Sequence, residues 1–209
     1  YALDAETGAE VWRFQTGDGI LSSPAVYGGQ VLIGSIDGAL YALDAKTGQE
    51  RWRFSTAAPV FSSPAVADGL VYIGSDDGFV YAVDAADGSQ SWRFATGRPV
   101  FSSPALADGR VYVGSNDGFA YALDAVSGEL VWRANLGGPV FASPAVSEDL
   151  VYVGSSNGRL YALHRLSGEI AGSFLVGDGV RVWSSPAVVD GAVYFGAHDG
   201  HVYALEGSE

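Results

Sequence analysis

The residues with the means to do chemistry are few, and most fall at one fixed place in a repeat. Three histidines are present: His164, His198 and His201. His198-x-x-His201 has the residue types of a metal pair, but it flanks an Asp199-Gly200 turn, no third ligand is marked, and rings on either side of a tight hairpin need not converge. They read as solvated turn residues. Asp4, Asp44, Asp84 and Asp124 recur at equivalent positions, each before an Ala-x-x-Gly turn. A catalytic base would be singular. A periodic carboxylate suits capping of backbone N–H groups in a repeated turn. Ser22-Ser23-Pro24 and its copies match no Gly-x-Ser-x-Gly elbow and are expected to hydrate a channel wall. The Ser-Asp-Asp-Gly and Ser-Asn-Asp-Gly stretches at Ser75 and Ser115 look like calcium loops. As isolated hairpin tips they lack the six or more oxygens a calcium ion takes.

Composition narrows the field further. The 209 residues carry a formal net charge of −13, with no Cys and no Met. Without Cys there is no disulfide framework, no thiolate metal site and no cysteine nucleophile. Lys46 is the one lysine; the other basic residues are Arg. So acidic a chain is repelled by nucleic-acid phosphates and by anionic lipid. No apolar run approaches the length of a membrane span. The lack of any Met, initiator included, points to a processed form or an excised fragment.

The elements that position these residues repeat with a period of about 40 residues. Tyr-Ala-Leu/Val-Asp/His begins at Tyr1, Tyr41, Tyr81, Tyr121 and Tyr161, and Tyr203 opens a final strand. Ser-Pro-Ala recurs from Ser23 to Ser185, and Trp-Arg at Trp12, Trp52, Trp92 and Trp132. One repeat reads as four strands: Val60 to Val66, Leu70 to Gly74, Phe79 to Asp84 and Gln90 to Phe94. β-branched and aromatic runs between Asp-Gly turns are a hairpin signature, and no stretch holds a helical period. Four antiparallel strands repeated at this interval make a β-propeller blade. The expectation is an all-β chain forming a single propeller domain over residues 1–209. Pro64 and its equivalents place the first strand innermost, as an edge. The chain opens with a third and a fourth strand and closes with a first, second and third. A ring of about five blades, latched by pairing the Trp12 strand onto the C-terminal piece, is therefore expected. Part of a seven- or eight-bladed parent is the alternative.

The motif Tyr-Ala-Leu-Asp-Ala-x-[Thr/Ser/Asp]-Gly-x-x-x-Trp-Arg-Phe resembles the repeat of the pyrroloquinoline-quinone (PQQ) type propellers. That family includes quinoprotein dehydrogenases, the lipoprotein of the outer-membrane assembly machine, and sensor portions of bacterial kinases. The resemblance implies that Trp12, Trp52, Trp92 and Trp132 dock between blades, with Gly8, Gly48, Gly88 and Gly128 as the turn glycines. The fifth copy departs, with Gly172-Ser173 in place of Trp-Arg. The dehydrogenases' vicinal disulfide is impossible here. The reading is a non-enzymatic scaffold or sensor without cofactor, metal or nucleic acid, not inserted in a membrane, with a protein, peptide or small ligand as partner. The alternative is the propeller of a PQQ-dependent dehydrogenase. The resemblance alone implies a bacterial, periplasmic or otherwise extracytoplasmic setting.

Any binding is expected on the face carrying the fourth-to-first-strand loops, where the repeats lose uniformity. Arg98, Asp178, Arg181, Trp183 and His198 lie there by position. Trp183 stands where other copies have Leu21, Phe61, Phe101 and Phe141, after an insertion at Gly177 to Val182. It serves either as a binding residue, of a type enriched at hot spots, or as packing that fills the gap left at residue 172.

Overall fold

A computed structural model describes residues 1–206, which form strands and turns with no helix among them. The strands make successive antiparallel sheets. The first sheet holds β1 (Ala2–Leu3) and β2 (Glu10–Trp12). Four-stranded blades follow. The first of these is β3 (Ala25–Tyr27), β4 (Gln30–Gly34), β5 (Ala39–Asp44) and β6 (Glu50–Ser55). The next is β7 (Ala65–Ala67), β8 (Leu70–Gly74), β9 (Phe79–Asp84) and β10 (Gln90–Ala95). Then come β11 (Ala105–Ala107), β12 (Arg110–Gly114), β13 (Phe119–Asp124) and β14 (Leu130–Asn135). The last four-stranded blade is β15 (Ala145–Val146), β16 (Leu150–Gly154), β17 (Arg159–His164) and β18 (Ile170–Leu175). A three-stranded sheet, β19 (Ala187–Val189), β20 (Ala192–Gly196) and β21 (Val202–Glu206), ends the described chain.

The local chemistry explains the hairpins. At Asp68-Gly69 both residues have positive φ, 50° and 81°, the conformation a two-residue turn between twisted strands needs. In the third-to-fourth turns the periodic Asp caps the backbone. Asp44 Oδ1 accepts N–H bonds from Lys46 and Thr47 at 3.0 and 2.9 Å. The Arg51 guanidinium and these N–H groups hold its carboxyl well below the usual range.

First strands form a sheet edge in every complete blade and neighbour one another in series. They are shorter than the sequence suggests: β7 starts at Ala65, after Pro64, not at Val60. Proline has no N–H to give a ladder, and the residues before it bond elsewhere. Ser62 Oγ donates to the Gly74 carbonyl and accepts the Gly74 N–H, both at 2.8 Å. The Ser63 N–H donates to Ser103 Oγ of the next blade at 2.8 Å. The same bond runs from Ser23 to Ser63, Ser103 to Ser143 and Ser143 to Ser185. Of the serines expected to hydrate a channel wall, Ser62 is buried and bonds within its blade, while the Ser63 series joins neighbouring blades.

Blades pack face to face through Trp. Trp52, at 8% exposure, lies in a core with Leu32, Leu40, Val71, Ile73 and Val83. Its Nε1–H donates to the Ala85 carbonyl at 3.1 Å. Trp12, Trp92 and Trp132 make the matching bond to Ala45, Ala125 and Arg165. The turn beneath must be Gly. A Cβ at Gly128 would stand 2.5 Å from the Trp92 ring, and its φ is +73°. Gly48, Gly88 and Gly168 likewise meet Trp12, Trp52 and Trp132. Gly8 has nothing within 4 Å, so its place among the docking glycines passes to Gly168, which sequence reasoning left out.

The latch between the terminal pieces is not formed among the described residues. β2 pairs with β1 alone and β21 with β20 alone. β1 already holds one edge of β2, and Trp12 is committed to the blade that follows it.

Candidate functional site

The second-to-third turns and the fourth-to-first loops share one face, joined by backbone bonds. The Val60 N–H donates to Ser35 O and the Asp76 N–H to Pro59 O. A carboxylate staples them as well. Asp77 Oδ2 accepts the Tyr81 hydroxyl at 2.8 Å and the Ala57 N–H at 3.0 Å. Burial, and then the hydrogen bond to Asp77, push the Tyr81 hydroxyl up to about 12. Asp37 with Tyr41 and Asp117 with Tyr121 repeat the device. Asn157 replaces the Asp in the next blade, where the Tyr161 hydroxyl donates to the Leu136 carbonyl. These turn carboxylates are engaged within the chain.

On that rigid frame the inner rim carries a continuous arc of rings. Phe61 stacks on Phe101 with centroids 4.9 Å apart. Phe101 meets Phe141 at 5.4 Å, Phe141 meets Trp183 at 4.8 Å, and Trp183 meets His198 at 4.5 Å. The Arg181 guanidinium lies over the Trp183 ring at 5.0 Å. The three Phe rings and Trp183 are half-buried, while Arg181 and His198 are exposed.

Beside the arc runs a second series, one residue per turn: Ile36, Asp76, Asn116, Ser156 and His198. Its members differ although their surroundings repeat. Trp183 Nε1–H donates to Ser156 Oγ at 2.8 Å. The corresponding neighbours of Asp76 and Asn116 are Phe101 and Phe141, which have no donor. Asp76 Oδ1 and Asn116 Oδ1 are buried without a hydrogen-bond partner among the described residues. Native proteins rarely leave buried acceptors unpaired. Burial, then the charge of Asp77, raises the Asp76 carboxyl.

The residues singled out from sequence separate into two groups. Arg181, Trp183 and His198 come together at one end of the arc. Arg98 and Asp178 are exposed loop residues with no ion pair among the described residues. Trp183 does not fill the gap at residue 172: its neighbours are Phe141, His198 and Ser156, because Val182, fully buried against Gly154, fixes the loop at the rim. Asp76, Asn116 and Ser156 were missed. They lie inside turns that look uniform, and the signal was their variation at one register position.

His201 Nδ1 pairs with Asp199 Oδ2 at 3.2 Å while His198 turns to Trp183. No group of three or more His, Asp or Glu able to hold a metal exists among the described residues. Asp4, Asp44 and Asp124 each accept backbone N–H groups of their own turns.

A family model described as outer membrane protein assembly factor BamB matches residues 1–102 and 76–209. The chain belongs to the BamB family. Among solved structures, BamB from Moraxella catarrhalis superposes with a TM-score of 0.77 at 22% identity, covering 88% of this chain and 57% of that one. A computationally designed protein, Ika8, gives 0.78 at 20% identity with the same coverages of 88% and 57%. These likenesses show the BamB-like propeller fold, and this chain spans 57% of the length of either structure. No curated protein sequence matches it.

Proposed function

We propose that this BamB-family chain is a non-enzymatic scaffold that holds a peptide segment or loop of a partner protein against the aromatic arc. The observation that carries the reading is the arc itself. Phe61, Phe101, Phe141 and Trp183 run unbroken beside two acceptor oxygens, on Asp76 and Asn116, that lack donors. Aromatic rings with a neighbouring Arg are the residue types that dominate binding energy at interfaces. A net charge of −13 favours a cationic segment, drawn by the field of the whole chain. The repeats supply the frame, and the single variable residue per turn supplies specificity. The family name supports a role in protein assembly, and the spent or absent catalytic groups support the lack of an enzymatic one.

The test uses Arg181→Ala and Trp183→Phe, each measured for melting temperature and for capture of peptides selected on the parent from a displayed random library. The expected result is selection of basic, aromatic-containing peptides, with capture lost by both variants at nearly unchanged stability. Lost stability with unchanged capture would reduce Trp183 to packing and remove the arc as a binding face.

A further inference from the structure

On the face opposite the aromatic arc, the third-to-fourth turn of one blade takes side-chain donors from the blade before it. The Ala85, Ala125 and Arg165 carbonyls each accept a Trp Nε1–H. Their second donors differ: Gln30 Nε2 at 2.9 Å, the Tyr72 hydroxyl at 3.1 Å and the Arg110 guanidinium at 3.0 Å. Gln30 and Arg110 hold the same register, opposite Asp44 and Asp124 in their ladders. Gln30 is 7% exposed, and with Nε2 bound to a carbonyl its Oε1 has no hydrogen-bond partner among the described residues. Exchanging the amide oxygen and nitrogen would set two acceptors against each other. Gln30 lines a cleft of about 380 Å³ between the β3–β6 and β7–β10 blades, with Tyr27 and Gly28 on one wall and Asp68, Asp84 and Ala85 on the other. That volume lies within the range of small-molecule sites. No Lys or Arg lines the cleft. Among the described residues Asp68 has no ion pair, and the Asp84 carboxylate accepts only the Ala86 N–H, at 2.7 Å. Its copies Asp44 and Asp124 also take the hydroxyl and N–H of Thr47 and Ser127. Asp87 replaces that residue here.

Between the β11–β14 and β15–β18 blades the chain supplies guanidinium groups of its own to the equivalent place. Arg110 stands where Gln30 does. Arg165, the counterpart of Ala85, reaches back to Asp108, whose counterpart is Gly28. We infer that the Gln30 cleft binds a small ligand carrying a guanidinium group, received where Arg165 lies in the later interface. The planar fork of donors suits Gln30 Oε1 on one wall and the Asp84 carboxylate on the other. The Asp68 charge and a net charge of −13 draw the cation in. Both blades are complete, and the cleft lies on the face away from the arc, so it stands or falls separately from the peptide reading.

The experiment is calorimetric titration and thermal denaturation of the full chain with n-butylguanidinium, with n-butylammonium as a second arm of equal charge. Saturable binding of one butylguanidinium per chain, with a raised melting temperature, is expected. Butylammonium, which lacks the planar fork, should bind at least about tenfold more weakly. The double variant Gly28→Asp/Ala85→Arg installs the Asp108–Arg165 pair at unchanged net charge. Gly28 has a φ of +57° and nothing within 4 Å of an added Cβ, and Asp108 already adopts a φ of 46°. The variant should therefore fold and bind no butylguanidinium. Asp84→Asn keeps the acceptor that caps the turn and provides an independent test should the double variant not fold. It is expected to weaken butylguanidinium by at least about tenfold. Absence of saturable binding to the parent, undiminished binding to either folded variant, or equal binding of the two cations overturns the proposal.

Discussion

Two interfaces between blades differ at the residue that faces the next sheet and in how much of that next sheet is described. Between the β7–β10 and β11–β14 blades, Trp92 is 8% exposed, bonded to the Ala125 carbonyl and pressed onto Gly128. Around it Tyr72, Val80, Val111, Val113 and Leu123 are buried together. Between the β15–β18 blade and the β19–β21 sheet, Gly172 holds that place. The buried cluster there shrinks to Leu160, Val182, Val193 and Phe195. Every residue of β18 is exposed, whereas β14 buries Trp132 and Ala134. The sheets that follow also differ: β11–β14 carries the turn that receives Trp92, whereas the described part of β19–β21 has three strands. A blade is therefore specified by its own turns and the apolar runs between them, and the union of blades largely by one large side chain docked on the next turn. This is nearest-neighbour stability with the coupling concentrated in a single residue.

The largest effect expected from breaking the first interface is that of Trp92→Ala. It removes a buried ring and its hydrogen bond, for a loss of about 3–5 kcal/mol by chemical denaturation. Gly172→Ala, at the equivalent register in the open interface, should change stability by less than about 0.5 kcal/mol. Equal effects would mean that Trp is not what distinguishes the two.

Gly128→Ala comes next. The new Cβ would collide with the Trp92 ring in addition to adopting a positive φ, and a loss of about 2–3 kcal/mol is expected. Gly8→Ala isolates the backbone contribution, with φ +70° and no neighbour within 4 Å, and should cost only about 1 kcal/mol. A melting-temperature difference between the two variants measures the docking contact.

Tyr81→Phe removes one hydrogen bond from the Asp77 staple while leaving the ring packed against Phe54. A loss of about 1 kcal/mol is expected, read from the denaturation midpoint.

Asp76→Asn should have the smallest effect, and the effect should depend on pH. The folded-state carboxyl is raised above its unfolded value. Its stabilising contribution is thus full below the unfolded pKa and is lost as pH rises through the folded one. The Asn variant should be the more stable at pH 7, with the advantage vanishing as pH falls below about 4. A difference independent of pH would show that the Asp76 carboxyl is not raised in the folded state.

The fold was legible because each repeat states it again. β8 and β9 follow directly from β-branched and aromatic runs between Asp-Gly turns. The first strands came out shorter because propensity does not reveal that Ser62 and Ser63 spend their hydrogen bonds on Gly74 and on the next blade. Gly168 was overlooked for Gly8 because sequence gives the docking pair but not the direction in which Trp leans. A latch between the terminal pieces was counted from complementary strands, and counting cannot show that β1 already occupies β2. Of the site, Arg181, Trp183 and His198 were visible as breaks in a uniform pattern. The acceptors on Asp76 and Asn116 were not, since an unpaired oxygen is a property of the surroundings and not of residue type.

Native-state hydrogen exchange compares the two interfaces within one molecule. If one Trp per interface sets how firmly blades are joined, amides of β17 and β18 should exchange much faster than those of β13 and β14, although both ladders have the same register. Gly172→Trp should bring the two rates together. Equal protection in the parent, or no change in the variant, would contradict the account.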